Sequence, residues 1–531
     1  MRRPPAALAL PAVAFGLVFF VWPMASILTT GLTADSGRIG SILAASSTLH
    51  AVWFTVWQAA VSTALTLAAG LPVAFVLSRF RFRGRNLVRT IVTIPFVLPT
   101  VVVAIAFLEL AGPGGLLGVD LSGTIWLILA AHVFFNLAVV VRTVGGLWSH
   151  LDPRLEEAAA ALGASPWTVW RTVTLPLLRP AIAAAGVIVF LFSFTSFGAV
   201  LLLGAPNLAT IEVEVYRAAA LVFDLPAAAV LALIQVIGVT AGLVVYARHQ
   251  ERSSIGQHLL PAAAVGRAPR GRERWTVAGV IGMALVITLV PLAAILLRTV
   301  TAGGGFGLAA LQALWKVDPA LVDVPGSIGN SLRFAAITAV LAIVIALPAA
   351  VLVASRRSRS GRWIDTLLML PIGSSAVTLG FGFVVALDSP IDLRAWWGLV
   401  PVAHTLVAMP FVLRSTVPVI RSIAPRVREA AAVLGAAPGR LWRTIDLPMI
   451  SPATAGAAAL AFVVSLGEFG ATLFVARPGG QTMTLAIYRL LGRPGAVNAS
   501  AALGLSVLLA AITALVITRV DRLRVPGVGS F

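Results

Sequence analysis

The sequence predicts an all-helical polytopic membrane protein with about 12 transmembrane helices, arranged as two parallel six-helix repeats. Three observations carry that prediction. Of 531 residues, 59% are hydrophobic and only 11% charged, and the mean hydropathy is +0.98, which is outside the usual range of a chain that folds in water. The apolar residues gather in runs of about 20, the length that crosses a bilayer core as a helix. Finally, residues 157–182 (EAAAALGASPWTVWRTVTLPLLRPAI) return at 429–454 as EAAAVLGAAPGRLWRTIDLPMISPAT, identical at 15 of 26 positions without a gap. Chance likeness between apolar stretches would match Ala and Leu, not Glu, Gly, Trp-Arg-Thr and three prolines at fixed offsets.

Taken in order, hydropathy places the spans at 8–30, 50–78, 90–112, 124–147, 180–203, 223–247, 275–298, 333–354, 364–387, 396–418, 453–476 and 498–518. The first follows a basic start like that of a signal peptide. Its apolar run is too long for one, so it reads as an uncleaved helix. With the N-terminus inside, the inner segments carry 30 of the 39 Lys and Arg residues, and this asymmetry predicts that both termini are cytoplasmic. The net charge of +19 is thereby read as topology rather than as a nucleic-acid surface.

Six spans per half give both halves one orientation, so the repeat is parallel. Pro72 and Pro95 recur as Pro348 and Pro371, 276 positions on. His132, Arg142, Ser193, Phe197 and Tyr216 recur as His404, Arg414, Ser465, Phe469 and Tyr488, 272 positions on. The expected organisation is a first repeat at 1–247, a polar, Arg-rich cytoplasmic linker at 248–273 and a second repeat at 274–531.

The repeated segment falls between the fourth and fifth spans of each half. A helix-forming run begins at Glu157 or Glu429, Gly163 or Gly435 stands where a helix ends, and Pro166 or Pro438 suits the first turn of another. The second short helix carries Trp170-Arg171-Thr172 or Trp442-Arg443-Thr444 and is expected to end near Pro176 or Pro448. A mere connection needs only a few residues. These segments run to about 30 and stay alike in both halves, so something outside the lipid reads them twice.

The pattern EAAxxLGAxPxxxWRTxxLPxxxP resembles the EAA loop of the permease subunits of ATP-binding-cassette importers, and the likeness covers most of both halves. It implies the type I importer transmembrane fold, in a cell (inner) membrane. It implies further that Glu157, Ala158, Ala159, Gly163, Pro166 and Arg171, with Glu429, Ala430, Ala431, Gly435, Pro438 and Arg443, belong to coupling helices. Each would seat in one of two copies of a cytoplasmic ABC ATPase, whose closure switches the pore between inward- and outward-facing states. The chain has no GxxxxGK[ST] loop and a single lysine, Lys316, so ATP hydrolysis is expected on separate subunits.

Within that family, AAHVFFNLAVVVRTV (130–144) and residues 192–235 resemble permeases for thiamine, whereas SLGEFGATLFVARPGG (465–480) is similar to iron, sulfate and molybdate permeases alike. Thiamine or its phosphates is the favoured cargo, with ferric iron the alternative. Phe194, Ser196, Phe197, Glu468 and Phe469 are the candidates for the substrate path. Aromatic faces suit a cationic thiazolium, though these rings also read as packing or lipid-facing side chains. Glu468, whose counterpart is Ser196, reads either as path-lining or as the cap of a neighbouring helix. Glu212, Glu214, Tyr216 and Tyr488, in the outward segments ATIEVEVYR and QTMTLAIYR, are expected to contact an extracytoplasmic substrate-binding protein, or else to sit in a re-entrant helix.

Two other classes fit less well. A twelve-span secondary transporter typically carries paired ionisable residues within its spans, and here they are nearly free of carboxylates apart from Glu468 and the span-end Glu109. An enzyme would need a converging nucleophile, base or metal set. The six histidines are dispersed and cysteine is absent, so no catalytic residue, metal site or cofactor is expected.

Overall fold

In the computed structural model, which describes residues 6–33, 35–252, 265–355, 359–389 and 391–521, ten helices are long and apolar enough to cross a bilayer. Span 1 is Ala7–Leu32, span 2 Ser46–Arg79, span 4 Ile125–Trp148, span 5 Pro166–Phe194 and span 6 Leu225–Val245. In the second half, span 7 is Glu273–Thr301, span 8 Val324–Ala354, span 10 Leu399–Ser422, span 11 Gly439–Gly467 and span 12 Ala496–Arg519. The predicted linker residues 253–264 and the terminal arginines at 2–3 and 522–524 lie outside the described residues.

The third and ninth predicted spans are not straight crossings. Span 3 is an amphipathic helix, Arg85–Thr93, a 3₁₀ turn, Ile94–Val97, and an apolar helix, Thr100–Ala111, with a bend of 106°. Span 9 repeats the plan as Arg359–Met369, Leu370–Gly373 and Ala376–Ala386. Pro95 and Pro371 stand in the two 3₁₀ turns, and Pro99 forces Leu98 into extended backbone (ψ 142°), which halts the helix. At 12 and 11 residues, each apolar limb reaches only about halfway through a bilayer core.

A second correction concerns the helix after each repeated loop. It does not stop near Pro176 or Pro448 but runs from Pro166 into span 5 and from Gly439 into span 11. A π-turn at Trp170–Thr174, and again at Trp442–Asp446, precedes the proline. The wider turn accommodates a ring that would clash with an i−4 carbonyl in regular helix. The spans therefore begin well before the predicted 180 and 453, and the second short helix of each loop is continuous with its span.

Packing inside the bundle relies on small residues, as expected where lipid supplies no hydrophobic drive between helices. Gly70 of span 2 lies so close to Val140 of span 4 that a Cβ there would meet the valine side chain at 2.7 Å. Larger side chains such as Trp148, Phe134 and Phe381 fill the interior elsewhere, while Trp53, Ile237, Val286 and Val340 point outward, each at least 60% exposed.

The two repeats exchange their first spans. Gly16 of span 1 packs on Leu367 and Leu368, and Gly382 of span 9 packs on Pro23, Met24 and Ile27. Reciprocally, Val277 and Ala284 of span 7 join apolar clusters built from spans 2, 3 and 4 of the first repeat. Arg298 of span 7 pairs with Glu109 of span 3 and donates to the Gly114 carbonyl. The repeats are thus consecutive in sequence but interlocked in space.

Candidate functional site: the seam between the repeats and the two repeated loops

Where span 5 ends, residues 195–197 break the helix and a short one follows, Gly198–Leu203, then Ile211–Tyr216; the second repeat places Gly470–Val475 and Met483–Leu491 likewise. Span 2 in the first repeat and span 8 in the second fix the second of these short helices. Thr55 Oγ1 accepts the Ile211 N–H at 2.9 Å, and Ser331 Oγ accepts the Met483 N–H at 2.7 Å. Both bonds satisfy a helix-end donor that has no partner within its own helix.

These re-entrant helices bring Phe197 and Phe469 together across the seam, stacked with centroids 5.7 Å apart. Tyr216 packs on Phe197 at 5.7 Å and on Phe474 at 5.8 Å, and Tyr488 packs on Phe469 at 5.4 Å. The cluster joins two residues predicted for the substrate path to two predicted for partner contact. Tyr216 is 7% exposed, so it faces the seam and not an outer partner. Phe194 stands apart: it stacks on Phe190 and presses against Gly238 of span 6.

Glu212 also departs from expectation. It is 1% exposed, too buried to meet a docking protein, and accepts from Gln235 Nε2 of span 6 at 3.0 Å. Glu214 pairs with Arg217 at 2.7 Å, one turn along the same helix.

Of the two readings of Glu468, the geometry realises the cap. Its carboxylate accepts the Ala471 and Thr472 N–H groups at 2.9 and 3.0 Å and the Thr472 hydroxyl at 2.7 Å. His404 lies 3.3 Å away. The same histidine contacts Ser465 at 2.7 Å and Thr472 at 2.8 Å. Its counterpart His132 links Ser62 at 2.9 Å and Ser196 at 2.8 Å, so Ser196 serves this buried network. Hydrogen bonding explains the histidines without any chemistry.

The repeated loops project from the opposite end of span 5 and span 11. Helix Arg154–Ala161 ends at Gly163 (φ +86°), and Pro425–Val433 ends at Gly435 (φ +80°). In each the next N–H closes the end, Ala164 donating to Ala159 O and Ala436 to Ala431 O, both at 3.1 Å or less. Pro166 opens the next helix with Ser165 as its cap, Ser165 Oγ accepting the Thr168 N–H at 3.2 Å, and Pro438 opens its counterpart. Glu157, Ala158, Arg171, Glu429, Ala430 and Arg443 are all exposed. So are two apolar residues that sequence reasoning missed: Leu162 is 89% exposed and Leu434 87%. The two leucines stand at the same repeat position, each beside its sharp turn.

A second missed feature is how each loop is tied down. In the first repeat Glu156 accepts from Arg79 at 2.8 Å and from Thr174 at 2.8 Å, and Arg79 also donates to the Leu151 carbonyl. In the second, Arg428 donates to Asp446 at 2.7 Å. Arg428 and Asp446 are the repeat counterparts of Glu156 and Thr174. Aligning the two copies could have revealed this compensated exchange.

The family model for the binding-protein-dependent transport system inner membrane component matches this chain twice, at residues 66–255 and 346–524. The matches take in both repeated loops and leave out span 1 and span 7. The thiamine transport system permease protein ThiP of Salmonella typhimurium (strain LT2) is 28% identical over 514 residues, 92% of this chain and 93% of that one. The molybdenum transport system permease protein ModB of Mycobacterium bovis is 34% identical over 246 residues, 44% of this chain and 90% of that one. Among solved structures, a bacterial ABC transporter involved in import of the acidic polysaccharide alginate aligns with 46% of this chain and 93% of its own, at 19% identity and a TM-score of 0.41.

Proposed function

The chain belongs to the family of binding-protein-dependent transport system inner membrane components, and on that premise we propose that it carries thiamine or a thiamine phosphate into the cell. It is the permease of an ATP-binding-cassette importer, a multi-pass transport pore and not an enzyme. The observation that carries the substrate is the reach of the likeness. Thiamine permeases match 85 to 97% of the chain across both repeats, whereas the molybdenum permease, though more identical, is a shorter chain that matches 44%. Aromatic rings at the seam suit a cationic ring passing between them.

In this reading both termini are cytoplasmic, as the arginine distribution favours. Loops 154–165 and 426–437 are the coupling elements, each seated on one of two copies of an ABC ATPase. Glu157, Ala158, Ala159, Gly163, Pro166 and Arg171, with Glu429, Ala430, Ala431, Gly435, Pro438 and Arg443, form or shape the docked surface, and Leu162 and Leu434 are its apolar anchors. Because each loop leads through a two-residue turn after Gly163 or Gly435 into the helix that becomes span 5 or span 11, ATPase closure moves those spans. The stacked Phe197 and Phe469 part as the repeats move, and substrate released by an extracytoplasmic binding protein passes. That protein meets the outer loops, with Glu214 rather than Glu212 near its contact surface.

Uptake of labelled thiamine and labelled ferric iron, measured side by side in cells with and without the chain, tests the proposal. Loss of thiamine uptake alone is the expected result. Loss of iron uptake alone would leave the pore standing and overturn the cargo.

A further inference from the structure

Glu212 is a buried carboxylate whose neighbours are neutral. Gln235 donates to it, and the Ser375 hydroxyl at the start of helix Ala376–Ala386 lies beside it. Glu468, by contrast, has two backbone N–H groups, a hydroxyl and His404. Burying an ionised carboxylate without a cation is costly, and such a group within a membrane protein is retained where it does work. The fold does not require it, because its repeat counterpart is Thr484.

Three further observations say what the work is. The group sits on the seam: Ile211–Tyr216 and Gln235 belong to the first repeat and Ser375 to the second, so movement between the repeats uncovers it. It lies one helical turn before Tyr216, on the same helix, and so borders the aromatic cluster. And its surroundings hold spare acceptors. Among the described residues Gln235 Oε1 has no partner, nor does the hydroxyl of Thr378, one turn beyond Ser375; both residues are 1% exposed. A carboxylate, an amide oxygen and a hydroxyl beside the negative faces of aromatic rings suit a cation and repel an anion.

We infer that Glu212, held by Gln235, is the charge-selecting residue of the path, which meets the positive thiazolium ring of thiamine when the seam opens. The inference rests on the cargo proposed above. In the closed seam the carboxylate is held by neutral partners that cost little to leave. On opening, it takes the cation from the aromatic rings and passes it on.

The test is a relocation of the charge, measured as the initial rate of labelled thiamine uptake at saturating concentration, with the binding protein and ATPase present. Glu212→Gln keeps the hydrogen bond from Gln235 and removes only the charge. It is expected to lower the maximal rate about tenfold or more, the scale of one lost charge contact. Membrane level stays within about twofold of the original chain, so that the loss is read as transport. The exchange E212Q/Q235E, which moves the carboxylate across its own hydrogen bond, is expected to regain most of the lost rate. A packing role would not be restored by moving the charge. Wild-type uptake by E212Q, or an exchange no better than E212Q, overturns the inference while leaving the cargo intact. A parent chain that carries no thiamine overturns the cargo, and the inference with it.

Discussion

Glu156 and Arg428 occupy the same position of the two repeats, carry opposite charges, and are each answered by a partner in their own repeat. Glu156 binds Arg79 and Thr174, whereas Arg428 binds Asp446, the counterpart of Thr174. The position of Arg79 is filled in the second repeat by Ser355. The first loop is therefore tied to span 2 as well as to the base of span 5, and the second to the base of span 11. Arg79 is itself flanked by the chain that joins the repeats, because Arg267 N donates to Arg79 O and Arg81 N to Arg267 O.

The exchange predicts a repair. Glu156→Arg sets two arginines against each other where the Arg79 side chain is only 8% exposed, and costs about 2 kcal/mol in loop docking. Adding Thr174→Asp and Arg79→Ser rebuilds the second repeat's solution. ATP-driven uptake should fall with the single change and recover with the triple. An unrepaired triple variant would contradict the reading of the pair as a tether.

The exposed leucines should behave as anchors. Leu162→Asp or Leu434→Asp leaves the folded chain unharmed, since nothing covers either side chain. Each should weaken capture of the ATPase subunit about tenfold, as a lost apolar hot spot does. Co-purification in detergent reads this directly, and undiminished capture would remove the loops from the docking surface.

Glu468 should matter to stability more than to transport. As a cap for the Gly470–Val475 helix, its replacement by Gln is expected to cost about 1 kcal/mol. The midpoint of thermal unfolding should drop while thiamine uptake stays within about twofold of the original chain. Abolished uptake at full stability would return Glu468 to the path.

The seam rings separate from their neighbour in the same way. Phe197→Leu or Phe469→Leu breaks a stack worth about 1 kcal/mol beyond its buried area and removes an aromatic face from the path. Maximal uptake should fall several-fold. Phe194→Leu, packed on Gly238 away from the stack, should leave it nearly unchanged.

Much of this architecture is legible in the amino-acid sequence, for a physical reason: a bilayer imposes length and hydropathy on each crossing, and duplication prints the pattern twice. The breaks in spans 3 and 9 escape hydropathy because residues 98–100 and 374–376 stay inside apolar runs; only Pro95, Pro99 and Pro371 hint at them. Helix-stopping rules misjudge Pro176 and Pro448 because a π-turn absorbs each ring. The burial of Glu212 depends on Gln235 and Ser375, which lie 23 and 163 positions away, and no local pattern announces a partner at that distance. The exchange of spans 1 and 7 is likewise a property of packing alone.

The central claim is a pore whose two loops are driven by ATPase subunits, and reconstitution tests it most directly. The chain, its ATPase and its binding protein are placed in liposomes with no ion gradient, and labelled thiamine is followed across the membrane. Accumulation that starts with ATP, stops when the ATPase is omitted and ignores a proton ionophore is the result expected here. Accumulation that follows a proton gradient and proceeds without the ATPase would contradict it.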